Sequence, residues 1–285
     1  MTSVAEALAG ARALGVASLD AQLLLARVLA TTRTGVIAND DRVLGDEEMR
    51  VWSDWLARRA SGEPVAYLLG EKEFSGLVLA VRAGVLVPRP ETELIVDWAA
   101  SLLATRPAGA TVLDLGTGSG AIALALKRRF PQARITAMDA SPVALEVARA
   151  NAARLGLDVE FLAGSWWNAV AARRFDLVVA NPPYVAAGDP HLAALRHEPV
   201  EALVSGPDGL DALTTIARSA EQHLEREGWL LLEHGFDQGA AVRALLVAAG
   251  LRLVATQRDL AGRERVTAGC RTGPRDERPV TPLTR

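Results

Sequence analysis

The chain is 285 residues long, half of them apolar and 23% charged, with a formal net charge of −3. This is the balance of a soluble globular protein, with no global electrostatic pull towards nucleic acid or anionic membrane. A single cysteine, Cys270, excludes an internal disulfide framework and a Cys-based zinc site, and four scattered histidines lack ligand spacing, so no metal is expected. No uncharged apolar stretch reaches membrane-spanning length, and no basic region followed by a long apolar run opens the chain. A cytoplasmic protein is therefore expected.

The first 60 or so residues read as helices. Apolar residues at helical spacing mark Val4–Leu14, and Asp20–Ala30 repeats the pattern with Leu23, Leu24 and Val28 on one face. Asp46 is positioned to cap a third helix running to Arg59, before Gly62 and Pro64 break it. Trp52, Trp55 and Leu56 share a face there, and core packing is their first reading. From Phe74 to Val87 the pattern turns to strands: Leu77, Leu79 and Val81 alternate around a Gly76 turn, a hairpin signature. The stiff segment Pro88–Glu93 follows, with Glu91 or Thr92 able to open a helix.

From Thr111 strands and helices alternate. Strands are expected at Thr111–Leu115, Arg134–Met138, Val159–Leu162, Phe175–Ala180, Trp229–Glu233, Leu251–Thr256 and Glu264–Ala268. Helices are expected at Ala121–Phe130, Pro142–Leu155 with Ser141 as cap, Gly209–Leu224 and Asp237–Ala249. Such alternation implies crossovers and a doubly wound, mostly parallel α/β sheet.

Two segments carry chemistry. Gly116-Thr117-Gly118-Ser119-Gly120 joins the first of these strands to a helix, and its glycines let the backbone approach a ligand. Asp139 ends the next strand, about 20 residues on, where a carboxylate can accept ribose hydroxyls. The loop fits NAD as well as S-adenosylmethionine, since Gly116, Gly118 and Ala121 satisfy the looser dinucleotide pattern. Asp114 favours the sulfonium cofactor, because an acidic group before the glycines repels a dinucleotide phosphate. Trp166 and Trp167 follow the third strand; Trp166, first after the turn, is the candidate to flank adenine.

The second segment is Asn181-Pro182-Pro183-Tyr184. Two prolines end the strand before it and hold Asn181 extended at the carboxyl edge, where open α/β sheets bind ligands. A planar NH2 is a poor nucleophile because its lone pair is delocalised. The Asn181 side-chain oxygen and the Pro182 carbonyl can grip such a group and draw its nitrogen towards tetrahedral geometry. Tyr184 can pack on its flat face. The same tetrapeptide also fits a plain Pro-Pro turn. A base methyltransferase, a nicotinamide oxidoreductase and a non-catalytic binding module remain alternatives from these residues alone, although a net-acidic chain argues against nucleic acid.

With the glycine loop, Asn181–Tyr184 resembles amino-group methyltransferases. Gly84-Val85-Leu86-Val87-Pro88-Arg89-Pro90-Glu91-Thr92-Glu93 narrows the resemblance to the release-factor glutamine methyltransferases of the PrmC/HemK type. So do Pro64–Gly70 with Phe74, Glu198-Pro199, Leu231–Gly235 and Asp259–Arg265. The resemblance implies a Rossmann-like, seven-stranded methyltransferase sheet, with S-adenosylmethionine as cofactor and peptide chain release factors as partners. The implied reaction is N5-methylation of the glutamine in their Gly-Gly-Gln motif, with the related glutamine methylation of a ribosomal protein as the alternative. It implies that Gly116–Gly120, Asp139, Trp166 and Asn181 meet the cofactor, and that Asn181, Pro182, Pro183 and Tyr184 hold the substrate glutamine. Ser165 departs from the acidic residue that relatives often carry before the Trp. The organisation expected is an N-terminal helical substrate-docking domain at 1–72, a β-hairpin linker at 73–90, the methyltransferase domain at 91–271 and a disordered tail at 272–285. A monomer is expected, without direct nucleic-acid contact.

Overall fold

The computed structural model describes residues 2–272, so the tail reading falls, apart from Thr272, outside the described residues. The chain divides into two compact units. One holds the stretch up to Lys72 with Ala80–Val87 and Pro190–Pro199; the other holds Glu73–Leu79, Pro88–Asp189 and the chain from Val200.

The first unit is helical: α1 (Val4–Ala13), α2 (Ser18–Val28), α3 (Arg33–Ala38), α4 (Asp46–Ala60) and α5 (Val65–Leu69). The short α3 and α5 are absent from the sequence reading, since six and five residues are too few to display a helical period. Asp46 is the first helical residue of α4 rather than its cap. Glu48 reaches back to the Gly45 N–H instead, at 2.9 Å. Trp52 is buried with Leu24, Leu25 and Leu56, and Trp55 packs against the same cluster, so core packing holds for both. Glu198 is buried and accepts the Val87 N–H at 3.0 Å, which gives the Glu198-Pro199 motif a structural role.

A two-stranded hairpin, β1 (Glu71–Phe74) and β2 (Leu77–Ala80), turns at Ser75-Gly76, with Gly76 at φ +77°. The strands are shorter than the span 74–87 suggested, and Val81–Val87 runs on without regular structure.

The second unit is the α/β sheet. In chain order it comprises α6 (Glu93–Leu103), β3 (Thr111–Leu115), α7 (Ala121–Arg129), β4 (Arg134–Asp139), α8 (Pro142–Leu155), β5 (Glu160–Ala163) and β6 (Phe175–Ala180). It continues with α9 (Asp211–His223), β7 (Leu224–Glu233), α10 (Gly239–Ala248), β8 (Arg252–Arg258) and β9 (Glu264–Cys270). Seven strands lie in the order β5-β4-β3-β6-β7-β9-β8, and only β9 runs against its neighbours. The expected mostly parallel, doubly wound sheet is present. Alternate strand residues feed two cores. Val112, Leu177, Val179 and Leu231 pack with α6 and α7, whereas Leu113, Leu115, Val178 and Leu230 pack with α9 and α10. Trp167 belongs to the second core: its ring stacks on His223 at 4.5 Å and its N–H donates to the Ile216 carbonyl.

The strand order reverses between β3 and β6, because the chain builds β4 and β5 on one side before crossing to β6. Ligands bind outside the carboxyl ends of strands at such a switch point. Register sets what meets there. Leu115 pairs with both Met138 and Ala180, and Ala180 pairs with Leu232. Gly116, Asp139, Asn181 and Glu233 therefore stand side by side along one edge.

Candidate active site

The loop after β3 is shaped by left-handed backbone. Gly116, Gly118 and Gly120 have φ of +74°, +57° and +85°. A Cβ on Gly120 would lie 2.9 Å from Leu124 Cδ1 and 3.3 Å from Ala148 Cβ, so this glycine lets α7 begin against α8. A Cβ on Gly118 would meet open space, which leaves that backbone bare towards the cleft. The Gly116 and Thr117 N–H groups both donate to the Met138 carbonyl at 2.9 Å. From α8, the buried Asn151 donates to the Ser119 carbonyl at 2.9 Å and ties the loop down from below.

Asp114 does not act as the surface charge that the sequence suggested. It is wholly buried; its Oδ2 accepts the Thr117 hydroxyl at 2.6 Å and the Ala123 N–H at 3.2 Å. Burial pushes its pKa up to about 7, so it braces the loop from inside rather than repelling phosphate from outside. Its Oδ1 has no hydrogen-bond partner among the described residues.

Asp139 stands where a ribose carboxylate is needed. Its Oδ1 accepts the Ser141 N–H at 2.8 Å and its Oδ2 the Gly118 N–H at 2.9 Å. Burial still raises its pKa. These bonds take two of its roughly four lone-pair positions, so others remain to accept a ribose hydroxyl. Trp166 holds a positive φ of +50°, a strained value for a bulky side chain, and a Cβ on Gly116 would lie 3.9 Å from its ring. An open glycine, an aromatic ring and a carboxylate around one strand edge fit a nucleoside cofactor.

Asn181 follows the last β6 residue, and its Nδ2 donates to Thr92 Oγ1 at 3.1 Å. The Tyr184 hydroxyl donates to Glu233 Oε1 at 3.4 Å, and the Gln238 amide donates to the Tyr184 carbonyl at 3.0 Å. Past Tyr184 the chain is strapped in place, with the Val185 N–H on the Leu203 carbonyl and the Ser205 N–H on the Val185 carbonyl. Gly209 is required beneath it, because a Cβ there would come within 2.2 Å of the Tyr184 carbonyl oxygen. Among the described residues no cluster of metal-ligating side chains occurs, and no helix is long and apolar enough to cross a membrane.

Residues 2–70 match the family described as PrmC N-terminal domain, and residues 93–234 match the methyltransferase small domain. A release factor glutamine methyltransferase from Bordetella pertussis is 48% identical over 90% of this chain and 95% of its own length. One from Pseudomonas aeruginosa is 49% identical over 89% of this chain and 92% of its own. The chain belongs to the release factor glutamine methyltransferase family. The same fold occurs in the T. thermophilus 16S rRNA N2 G1207 methyltransferase solved with AdoMet and guanosine. The TM-score there is 0.54 at 20% identity, over 70% of this chain and 49% of that one.

Family membership gives the scattered motifs a common address. Thr92 from the Pro88–Glu93 segment meets Asn181, and Tyr184 meets Glu233 of the Leu231–Gly235 segment. Arg265, from Asp259–Arg265, places its charge near Glu233 and is itself held by Asp259 at 2.9 Å. Glu233 is 1% exposed, and burial pushes its pKa up to about 7 despite the Thr92 hydroxyl and Arg265. The sequence reading left Thr92 as a helix opener and assigned no role to Asn151, Glu233 or Arg265. Asn151 carried one usable signal: it is a polar residue on the helical stripe of Ala144, Val147 and Ala148.

Proposed function

We propose that this chain transfers a methyl group from S-adenosylmethionine to N5 of the glutamine in the Gly-Gly-Gln motif of peptide chain release factors, with Asn181 and Pro182 as the gripping residues. The observation that carries the residue assignment is Asn181 at the sheet's switch point, beside the glycine loop. Its NH2 is turned back to Thr92, so its Oδ1 is left to accept. The substrate assignment is supported by relatives of that name, close to half identical over nearly their whole length.

When bound, S-adenosylmethionine supplies an electrophilic methyl and departs as the thioether. Gly116–Gly120 and Trp166 hold the nucleoside end, and Asp139 takes a ribose hydroxyl. Asn181 Oδ1 and the Pro182 carbonyl accept the two protons of the substrate NH2 and weaken the lone pair's conjugation with its carbonyl. Pro182 and Pro183 make this corner stiff, so little entropy is lost when the amide docks. Tyr184 covers the amide plane. The new N–C bond makes the nitrogen acidic, and its extra proton leaves along one of the two hydrogen bonds to solvent.

The test offers labelled cofactor to the full chain with a release factor, a ribosomal protein and duplex DNA in parallel. Label is expected on the release factor. Label on DNA alone, or on the ribosomal protein alone, overturns the reading.

A further inference from the structure

Pro182 and Pro183 stiffen the first half of the corner at the end of β6. Tyr184 lies past them, where no proline ring fixes the backbone. A ring that covers a reacting amide has to be held to within about 0.5 Å of its productive place. Something other than the prolines must therefore hold Tyr184.

Gln238, the residue immediately before α10, does so from behind, and both ends of its amide are used. Its Oε1 accepts the Gly235 N–H at 2.8 Å. Its Nε2 donates to the Tyr184 carbonyl at 3.0 Å and to the Asp208 carbonyl at 3.3 Å. A backbone N–H only donates and a carbonyl only accepts, so these three groups allow the amide one orientation. One planar group thus ties together the turn after β7, the end of the Pro-Pro corner and the loop ahead of α9. The fit is close: a Cβ on Gly209 would lie 2.7 Å from Gln238 Nε2. The anchor for this tie is itself rigid. The Gln238 N–H donates to the Gly235 carbonyl at 2.9 Å. His234, wholly buried, donates from Nδ1 to the same carbonyl at 2.8 Å and meets the Thr267 hydroxyl through Nε2 at 2.8 Å. Tyr184 is therefore held twice, at its carbonyl by Gln238 and at its hydroxyl by Glu233.

We propose that Gln238 is a positioning residue for methyl transfer, its amide clamping the Tyr184 backbone so that the ring keeps its place over the substrate amide. The inference rests on the covering role given to Tyr184 above. It also gives the Leu231–Gly235 segment a part in the chemistry, because Gly235 sets which way round the Gln238 amide points.

The test compares wild type with Gln238→Glu and Gln238→Met, on a release factor, by initial rates between about pH 6 and 9 and by calorimetry with S-adenosylhomocysteine. A glutamate keeps the shape and still accepts the Gly235 N–H, but when ionised it offers the two carbonyls no donor. Its charge stands at the start of α10, where a helix favours an anion, so the fold should be kept. At about pH 8, kcat of Gln238→Glu should fall about 10- to 100-fold, with cofactor affinity within about threefold. Protonation returns a donor to the two carbonyls, so its kcat relative to wild type should climb as pH falls. Asp208, Glu233, His234, Asp237, Arg243 and Glu264 lie around this position in wild type too, so the ratio removes their own titration. Gln238→Met, which cannot titrate, should show a similar loss at every pH. Gln238→Glu turning over like wild type at about pH 8 overturns the proposal, as does a deficit that stays level with pH. A loss of cofactor affinity as large as the loss of kcat overturns it too. If Gln238→Glu fails to fold, a folded Gln238→Met with wild-type kcat overturns it equally. Wild type failing to methylate the release factor instead overturns the function beneath it, so the two failures are separable.

Discussion

Asn151→Leu isolates the strut beneath the glycine loop. Leucine has the same branching and the same number of side-chain heavy atoms, with two bulkier methyls in place of the amide oxygen and NH2, so the substitution leaves no cavity, and α8 keeps a good helix former. What it removes is the 2.9 Å bond to the Ser119 carbonyl, together with the 3.3 Å bond that the partly exposed Arg154 donates to Asn151 Oδ1. Ser119 is 2% exposed, so water cannot readily replace the lost partner. An unsatisfied buried acceptor costs about 1–3 kcal/mol. For a folded unit of this size each kcal/mol shifts Tm by about 2–4 °C, so a loss near 2 kcal/mol lowers Tm by about 4–8 °C. Release of the loop also disorders the N–H groups of Gly118 and Ser119, which should weaken S-adenosylhomocysteine binding about tenfold, or about 1.4 kcal/mol. Scanning calorimetry and titration calorimetry on the same variant read both numbers. Unchanged Tm together with unchanged affinity would refute the claim that α8 holds the loop in shape.

Neighbouring features carry further expectations. Asp114 has its folded pKa raised to about 7, above its unfolded value of about 3.9, so the folded state holds the proton longer and stability falls as pH climbs from about 4 to about 7. Asp114→Asn keeps an oxygen for Thr117 and Ala123 and should flatten that fall in urea midpoints across the same window; an equally steep fall would contradict it. Glu233, raised in the same direction, would supply what slope persists. Gly120→Ala should cost about 2–4 kcal/mol, from the left-handed backbone and the approach to Ala148; a wild-type Tm would count against the assigned backbone. Asn181→Ala should cut kcat about 100- to 1,000-fold with cofactor affinity within about threefold, by single-turnover rates and calorimetry; a matching loss of affinity would recast Asn181 as a cofactor residue alone.

The mostly parallel, doubly wound sheet and its ligand-binding edge were legible because period-2 and period-3.6 patterns alternate cleanly from Thr111 onwards, and β6 was bounded correctly at Phe175–Ala180 because two prolines stop it. The bounds of Pro142–Leu155 were equally plain, since Ser141, Pro142 and Gly156 punctuate both ends. The strand β7 was cut short at its start because Glu225, Arg226 and Glu227 hide its first half, which is exposed and irregular where it meets β6. Short α3 and α5 show too little period to be seen. At the site, Gly116–Gly120, Asp139 and Asn181 announced themselves through backbone and charge requirements that act within a few residues. Thr92, Asn151, Glu233 and Arg265 did not, because their partners lie far along the chain and only strand register brings them together. Asp114 shows the limit of reading charge from a string: its position was right, but burial turned it from an outward field into an inward brace.

Mass spectrometry of a release factor, after incubation with the full chain and S-adenosylmethionine, bears on the proposed reaction itself. One added methyl on the side-chain nitrogen of the Gly-Gly-Gln glutamine, absent when Asn181→Ala replaces wild type, is the expected result. A methyl at any other residue, or the same methyl formed at an undiminished rate by Asn181→Ala, would rule out the amide grip at Asn181.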